Sequence, residues 1–89
     1  MTPEQANELC DAFRSRFGGE AETEPVNGHG RYRFALVSDR FSGVPQLTRQ
    51  DEAWKFVDDT LPREAGLDIS LILIFAPAEL AAAEEENPT

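Results

Sequence analysis

The 89-residue chain has one thiol and one imidazole, those of Cys10 and His29. A lone cysteine forms no internal disulfide, and one cysteine with one histidine cannot supply the three or four protein ligands of an ordinary zinc site. His29 stands between Gly28 and Gly30, where an exposed imidazole is able to reach a metal carried by a partner. The same Gly-His-Gly sequence is equally typical of a bare turn. The residues alone therefore permit a metal-binding role for His29 and equally permit a bare turn.

The remaining polar residues do not form a recognisable catalytic pair. A nucleophile with its base would require His29 beside Ser38 or Ser42, which no pattern in the sequence indicates. Adjacent acids such as Asp58 and Asp59 point away from each other on a helix, so they form no acid–base pair. The sequence also lacks a glycine-rich loop from a strand into a helix, which would bind phosphates. We expect the chain not to be an enzyme.

Charge is distributed unevenly along the chain. The formal net charge is −9, from 8 basic and 17 acidic residues. Residues 30–49 carry four arginines against one acid, whereas the segments on either side are acidic. A basic centre of this kind is typical of a solvated face, and it is also compatible with a site for an acidic partner. The arginines are Arg31, Arg33, Arg40 and Arg49.

The same arginines leave nucleic-acid binding as an alternative. Tyr32 and Phe34 are interleaved with Arg31 and Arg33, and aromatic side chains on a sheet can stack on bases. The acidic segments on either side oppose this function because they repel phosphates. The two aromatic residues also belong to the strand face that we expect to meet the helices. DNA or RNA binding is therefore the less favoured function.

Hydrophobic periodicity predicts the elements that position these residues. Thr2-Pro3-Glu4-Gln5 is typical of a helix start, because a capping hydroxyl is followed three residues later by a glutamine. Apolar residues then recur at helical spacing as far as Phe17. We predict a weak polar edge strand over 20–26, a hairpin turn, and a second strand over 31–38 whose aromatic side chains share one face. A loop follows over 39–45.

The second half of the chain predicts a helix, a buried strand and a short helix. The helix runs from Thr48 to about Leu61, and residues 69–75 are apolar at every position, as in a central strand with both faces sheltered. If the helices cover one face of the sheet, the other face is an exposed apolar surface for a partner or a second copy. A short helix starts at Pro77. We expect one domain over 1–80 and a frayed acidic tail over 81–89.

Two segments together indicate a family. The first is Val37-Ser38-Asp39-Arg40-Phe41, followed by Gly43, Leu47 and Arg49, and the second is Phe75-Ala76-Pro77-Ala78-Glu79. Over roughly residues 3–80 the chain resembles the BolA family. The resemblance implies a small α/β (α+β) sandwich similar to a class II KH domain, of order α-β-β-α-β-α, with three strands and helices on one face. It also implies a monothiol glutaredoxin as partner, a [2Fe-2S] cluster shared with it, and DNA-binding regulation in some members.

Three positions depart from the family pattern. The cluster-ligating histidine of the last strand corresponds to Leu73, which has no lone pair for iron, and a further histidine and a tryptophan correspond to Gln50 and Leu80. His29 remains the candidate ligand, because BolA proteins often carry a second ligand in this hairpin loop. Cys10 belongs to the apolar stripe of the first helix. We expect no intrinsic cofactor and a shared cluster that is labile or absent.

We expect a non-catalytic BolA-like adaptor that binds a protein partner, with a monothiol glutaredoxin in iron–sulfur or stress regulation as the implied partner. A homodimer through the open sheet face is an alternative. The longest apolar run, Leu71 to Ala78, is far shorter than the roughly 20 residues of a membrane span, so the expected location is the cytoplasm. Phe41 is either an interface anchor or a core residue. The predicted partner-binding residues are Arg31, Arg33, Arg40, Phe41 and Arg49.

Overall fold

The computed structural model describes residues 1–26 and 30–85, with side chains as far as residue 82. These residues form three helices and a three-stranded sheet in the predicted order α-β-β-α-β-α, with a single 3-10 turn and the one-turn helix α3 in addition. No helix in the described ranges has the length and apolarity needed to cross a membrane. The elements are α1 (Pro3–Phe17), β1 (Glu20–Val26), β2 (Arg31–Val37), the 3-10 turn (Asp39–Phe41), α2 (Gln46–Thr60), α3 (Arg63–Gly66), β3 (Ile69–Phe75) and α4 (Pro77–Glu85).

Two boundaries differ from the sequence prediction. Helix α2 begins at Gln46 and not at Thr48, because the Arg49 amide already donates to the carbonyl oxygen of Pro45 at 3.1 Å. Helix α4 continues to Glu85, so residues 81–85 of the predicted tail are helical. The alanines at 81–83 have the highest helix propensity of any residue, which explains the extension. Residues 86–89 lie outside the described ranges.

Helix α1 forms where its capping residues predict it. The Thr2 hydroxyl accepts from the Gln5 amide at 3.1 Å, and the Gln5 side chain accepts from the Thr2 amide at 2.8 Å. Two backbone donors at the helix start are thereby satisfied reciprocally. The helix ends at Gly18, which has φ +74. Its buried stripe is the predicted one: Ala6, Leu9, Cys10, Phe13 and Phe17.

The sheet is mixed, with strand order β1-β2-β3. Strand β2 pairs antiparallel with β1 and parallel with β3. Its side chains alternate, so that Tyr32, Phe34 and Leu36 are buried while Arg31 and Arg33 are exposed. The predicted division of this strand into an aromatic inner face and an arginine outer face is confirmed.

Helices α1 and α2 cover the inner face of the sheet with a phenylalanine cluster. The ring of Phe13 lies 5.9 Å from that of Phe34 and 5.5 Å from that of Phe56. The ring of Phe17 lies 5.4 Å from that of Phe41. Because aromatic pairs at these separations add to the free energy gained by burial, the cluster joins α1, β2, the 3-10 turn and α2 in one core.

The α1–β1 corner packs against the end of β2. Ser38 is buried, its hydroxyl donates to the carbonyl oxygen of Phe17 at 2.7 Å, and it accepts from the Arg40 amide at 3.2 Å. Gly19 has φ +70, and a Cβ atom there would lie 2.0 Å from the carbonyl oxygen of Val37 and 2.9 Å from the Cα atom of Ser38. This corner therefore requires glycine for both its conformation and its space.

Substitution of Gly19 tests this corner against a matched glycine. We expect Gly19→Ala to lower the free energy of unfolding by about 3 kcal/mol or more, because backbone atoms must move. Gly43 has a similar φ of +74 but nothing within 4 Å of a Cβ atom, so Gly43→Ala should lower it by only about 1–2 kcal/mol. Denaturant unfolding measures both values, and equal losses would contradict the role of the close approach.

Candidate functional site: the open face of the sheet

The face of the sheet that points away from α1 and α2 is named here the open face. Its apolar centre comes from β2 and β3, where Ala35 lies beside Leu73 and Val37 beside Phe75. Leu71 and Leu73 are 45 % and 37 % exposed, whereas the alternate residues Ile72 and Ile74 are buried. The expectation that β3 is sheltered on both faces is therefore met on one face only. An apolar strand face exposed to water is characteristic of a binding surface.

Strand β1 gives the open face an acidic flank. Glu20, Glu22 and Glu24 are exposed and alternate with the buried or half-buried residues of the same strand. Glu22 is paired in register with Ala35, and Glu24 with Arg33. The Glu24 carboxylate accepts from the guanidinium of Arg33, with 3.1 Å between Nε and Oε2. The flank therefore combines one internally neutralised acid with two further carboxylates.

A depression lies between the acidic flank and the apolar centre. It has a volume of about 140 Å³, and Ala35 has the smallest side chain among the residues that line it. Ala35 and Leu73 contribute apolar side chains, and Glu22, Glu24 and Arg33 contribute charged ones. The lining residues are Glu22, Thr23, Glu24, Arg33, Phe34, Ala35 and Leu73.

Helix α4 approaches the end of the open face that carries Glu20 and Val37. Leu80 lines a second depression together with Ala35 and Val37 of β2 and Glu20 and Glu22 of β1. It therefore shelters part of the β2 row that α1 and α2 leave uncovered. The part of the apolar centre that remains accessible is the region around Leu71 and Leu73.

The outer edge of β3 is closed by side chains of α2. Gln50 donates to the carbonyl oxygen of Ile72 at 2.8 Å, and Gln46 donates to that of Ile74 at 2.9 Å. These acceptors would otherwise be available to an added strand. Sequence reasoning missed this role, because a glutamine on a helix gives no signal of which backbone group it meets.

The outer edge of β1 is also protected. Arg14 donates to the carbonyl oxygen of Ala21 at 2.7 Å. Pro25 has no amide to offer, and the strand carries a row of glutamates, both of which discourage edge pairing. With both edges protected, the open face is the accessible apolar surface of the sheet.

Arg49 does not lie on a binding surface. Its side chain is buried, with the residue only 3 % exposed, and its guanidinium donates to the carbonyl oxygens of Val44 at 2.7 Å and Ile74 at 3.2 Å. It also forms a bidentate pair with Glu79, both bonds being 2.7 Å long. Arg49 was predicted to contact a partner, and the structure corrects this to an internal role, because each of the three guanidinium nitrogens already donates to an acceptor within the chain.

The Arg49–Glu79 pair shifts the pKa values of both groups. The hydrogen bonds from Arg49, followed by one from the Ala76 amide, lower the pKa of Glu79 from its ordinary value of 4.5 to about 2. The hydrogen bonds to Glu79 raise the pKa of Arg49, against the opposing effect of burial. The pair therefore holds α4 to α2 and β3 in its ionised form.

Phe41 is also internal. It is fully buried and its ring contacts that of Phe17, so of its two predicted roles the structure supports the core residue. Arg40, its neighbour, is exposed at the end of the sheet with its guanidinium carbon 5.8 Å from the centre of the Phe17 ring. Arg31 and Arg33 are exposed on β2. The four predicted arginines are thus divided among three places and form no single basic patch.

The described residues were searched for groups of metal-ligating side chains. No group of three or more histidine, cysteine, aspartate or glutamate side chains in these ranges could hold a metal ion. Leu73 stands on the open face without a ligand atom, and Cys10 is buried, with a pKa raised by desolvation. His29 lies outside the described residues, so its predicted role as a ligand stays a prediction.

Acid titration tests the Arg49–Glu79 pair. Because the folded state lowers the pKa of Glu79, its contribution to stability is present above about pH 4.5 and is lost as the pH falls toward about 2. We expect Glu79→Gln to be less stable than the wild type at pH 7 and to lose less stability on acidification. Unfolding free energies measured across this range, with the exposed Glu8→Gln as control, check this. A wild-type pH dependence in Glu79→Gln would contradict it.

The chain was compared with known proteins at the levels of sequence and structure. No protein-family model, no curated protein and no solved structure matches it. The likeness to the BolA family rests on the two sequence segments that carry it.

Proposed function

We propose that this chain is a non-catalytic, BolA-like adaptor that binds a partner protein on the open face of its sheet. The observation that carries the proposal is the exposure of Leu71 and Leu73 side by side with Ala35 on a face whose strand edges are both protected. Burying a fully exposed leucine contributes about 1.5–3 kcal/mol. Leu71 and Leu73 are 45 % and 37 % exposed, so each has less than half of that gain left, and together they supply the apolar centre of an interface.

The titratable groups support a non-catalytic role. Within the described residues, displaced pKa values occur at Cys10, Arg49 and Glu79. Burial explains the first, and the internal ion pair explains the other two. Structural burial and internal ion pairs perturb pKa values as active sites do, and the contacts of these three groups are internal ones.

Nucleic-acid binding receives no support from the geometry. Tyr32 and Phe34 are buried under the helices, so bases cannot stack on them. Arg33 is paired with Glu24, and Arg49 with Glu79. The glutamates of β1 would also repel a phosphate backbone approaching the open face.

Paired serine substitutions test the open face as the docking surface. We expect Leu71→Ser with Leu73→Ser to abolish co-purification of a partner that the wild-type chain retains, because the apolar centre is lost. Leu47 and Leu67 are 76 % and 71 % exposed at other places, so Leu47→Ser with Leu67→Ser is the matched control and should retain the partner. Quantitative pull-down followed by mass spectrometry gives the comparison. Equal retention by both double variants would refute the proposed docking surface.

A monothiol glutaredoxin is the first partner to test, because the BolA-like segments imply it. We expect this chain to co-elute with the glutaredoxin. The visible circular dichroism of a cluster already bound to the glutaredoxin should not change on mixing, because the described residues contain no group of three or more metal-ligating side chains. An anaerobic titration measures both. A spectral change that disappears in His29→Ala would instead show ligation through the hairpin loop, and failure to co-elute would exclude this partner.

A further inference from the structure

We propose, on the basis of the proposed function, that the occupant of the open face is a basic amphipathic helix of the partner protein. Its apolar stripe would cover Leu71 and Leu73, and its lysine or arginine side chains would lie over Glu20 and Glu22. The inference rests on the shape of the face, on its charge, and on the depression above Ala35.

The shape of the face favours a helix over an added strand. Gln46 and Gln50 occupy the carbonyl groups on the outer edge of β3, and Arg14 occupies one on β1. Face-on packing does not use these groups. Seven-residue strands extend over about 23 Å, a length that a helix covers with about 15 residues.

The charge at one end of the face favours a basic helix. Glu20 and Glu22 stand on the flank without a cation among the described ion pairs, whereas Glu24 is neutralised by Arg33. Arg31, the other exposed arginine of this face, is paired in register with Val26 and so lies at the end opposite Glu20. The chain as a whole carries a net charge of −9, which attracts a basic partner and repels an acidic one. Rim charges of this kind determine the choice of partner and the rate of association more than the final affinity.

The depression above Ala35 fits a long cationic side chain. Its apolar side chains are those of Ala35 and Leu73, and Glu22, Glu24 and Arg33 are the charged residues that line it. Lysine and arginine carry an aliphatic stem with a charged end. The stem would cover Ala35 and Leu73, while the charged end would reach the Glu22 carboxylate.

A second copy of the chain is the competing occupant of the same face. A two-fold axis in the interface places β1 of one copy over either β1 or β3 of the other. Where β1 meets β1, the glutamates of the two copies oppose each other. Where β1 meets β3, they approach Leu71, which has Arg33 as its register partner, so the oligomeric state of the chain belongs to the test.

A pair of synthetic peptides tests the inference with the full chain. Both are helix-stabilised, about 15 residues long, with the same leucine stripe; one carries lysines along one flank and the other glutamates at the same positions. We expect the lysine peptide to bind in fluorescence anisotropy and to shift backbone amide resonances of β1, β2 and β3. Its affinity should fall with added salt. The glutamate peptide should not bind.

Single variants place the charge contact on β1. Glu22→Gln should weaken lysine-peptide binding by about three- to fivefold, as for an exposed ion pair, whereas Glu8→Gln on α1 should leave it unchanged. Equal binding of the two peptides, no binding of either, or amide shifts confined to the helices would overturn the inference. So would a concentration-dependent homodimer lost in Leu71→Ser with Leu73→Ser. If any of these results is obtained while partner capture still depends on Leu71 and Leu73, the basic helix is refuted as the occupant and the proposed adaptor function is retained.

Discussion

The guanidinium of Arg49 is a charge placed inside a protein of 89 residues, and the surrounding structure is arranged to satisfy it. A buried cation without acceptors would be strongly destabilising. Here the loop before α2 supplies the Val44 carbonyl, the edge of β3 supplies the Ile74 carbonyl, and α4 supplies the Glu79 carboxylate. The loop before α2, the end of β3 and the start of α4 are therefore held at one point, and the position of α4 depends on it.

The same helix face that carries Arg49 determines which surfaces of the sheet remain accessible. Three side chains of this face donate to carbonyl oxygens of β3: Gln46, Arg49 and Gln50. The carbonyl groups of Ile72 and Ile74 on the strand edge are therefore both occupied. Glu79 in turn anchors α4, whose Leu80 shelters one end of the open face. What remains uncovered is the stretch around Leu71 and Leu73, and its boundaries follow from how the buried cation is satisfied.

The sequence was sufficient for features that depend on local order and insufficient for those that depend on distant contacts. Residue spacing predicts the capping box and apolar stripe of α1, the two-faced pattern of β2 and the existence of β3. Arginine is normally exposed, so nothing local distinguishes the buried Arg49 from the exposed Arg31. Its partner is Glu79, thirty residues away. The exposure of Leu73 likewise depends on which face the helices cover, which an unbroken apolar strand does not reveal.

The glutamates of β1 have two consequences that are usually separate. An exposed apolar face beside a strand edge is a hazard for self-association, and charged residues on the edge are a common protection. Glu20, Glu22 and Glu24 stand on that edge here, and two copies packed with β1 over β1 would oppose these carboxylates. The carboxylates of Glu20 and Glu22 would also favour a partner that brings positive charge to the apolar centre. The residues that oppose one mode of self-association are therefore the ones that would favour a basic partner.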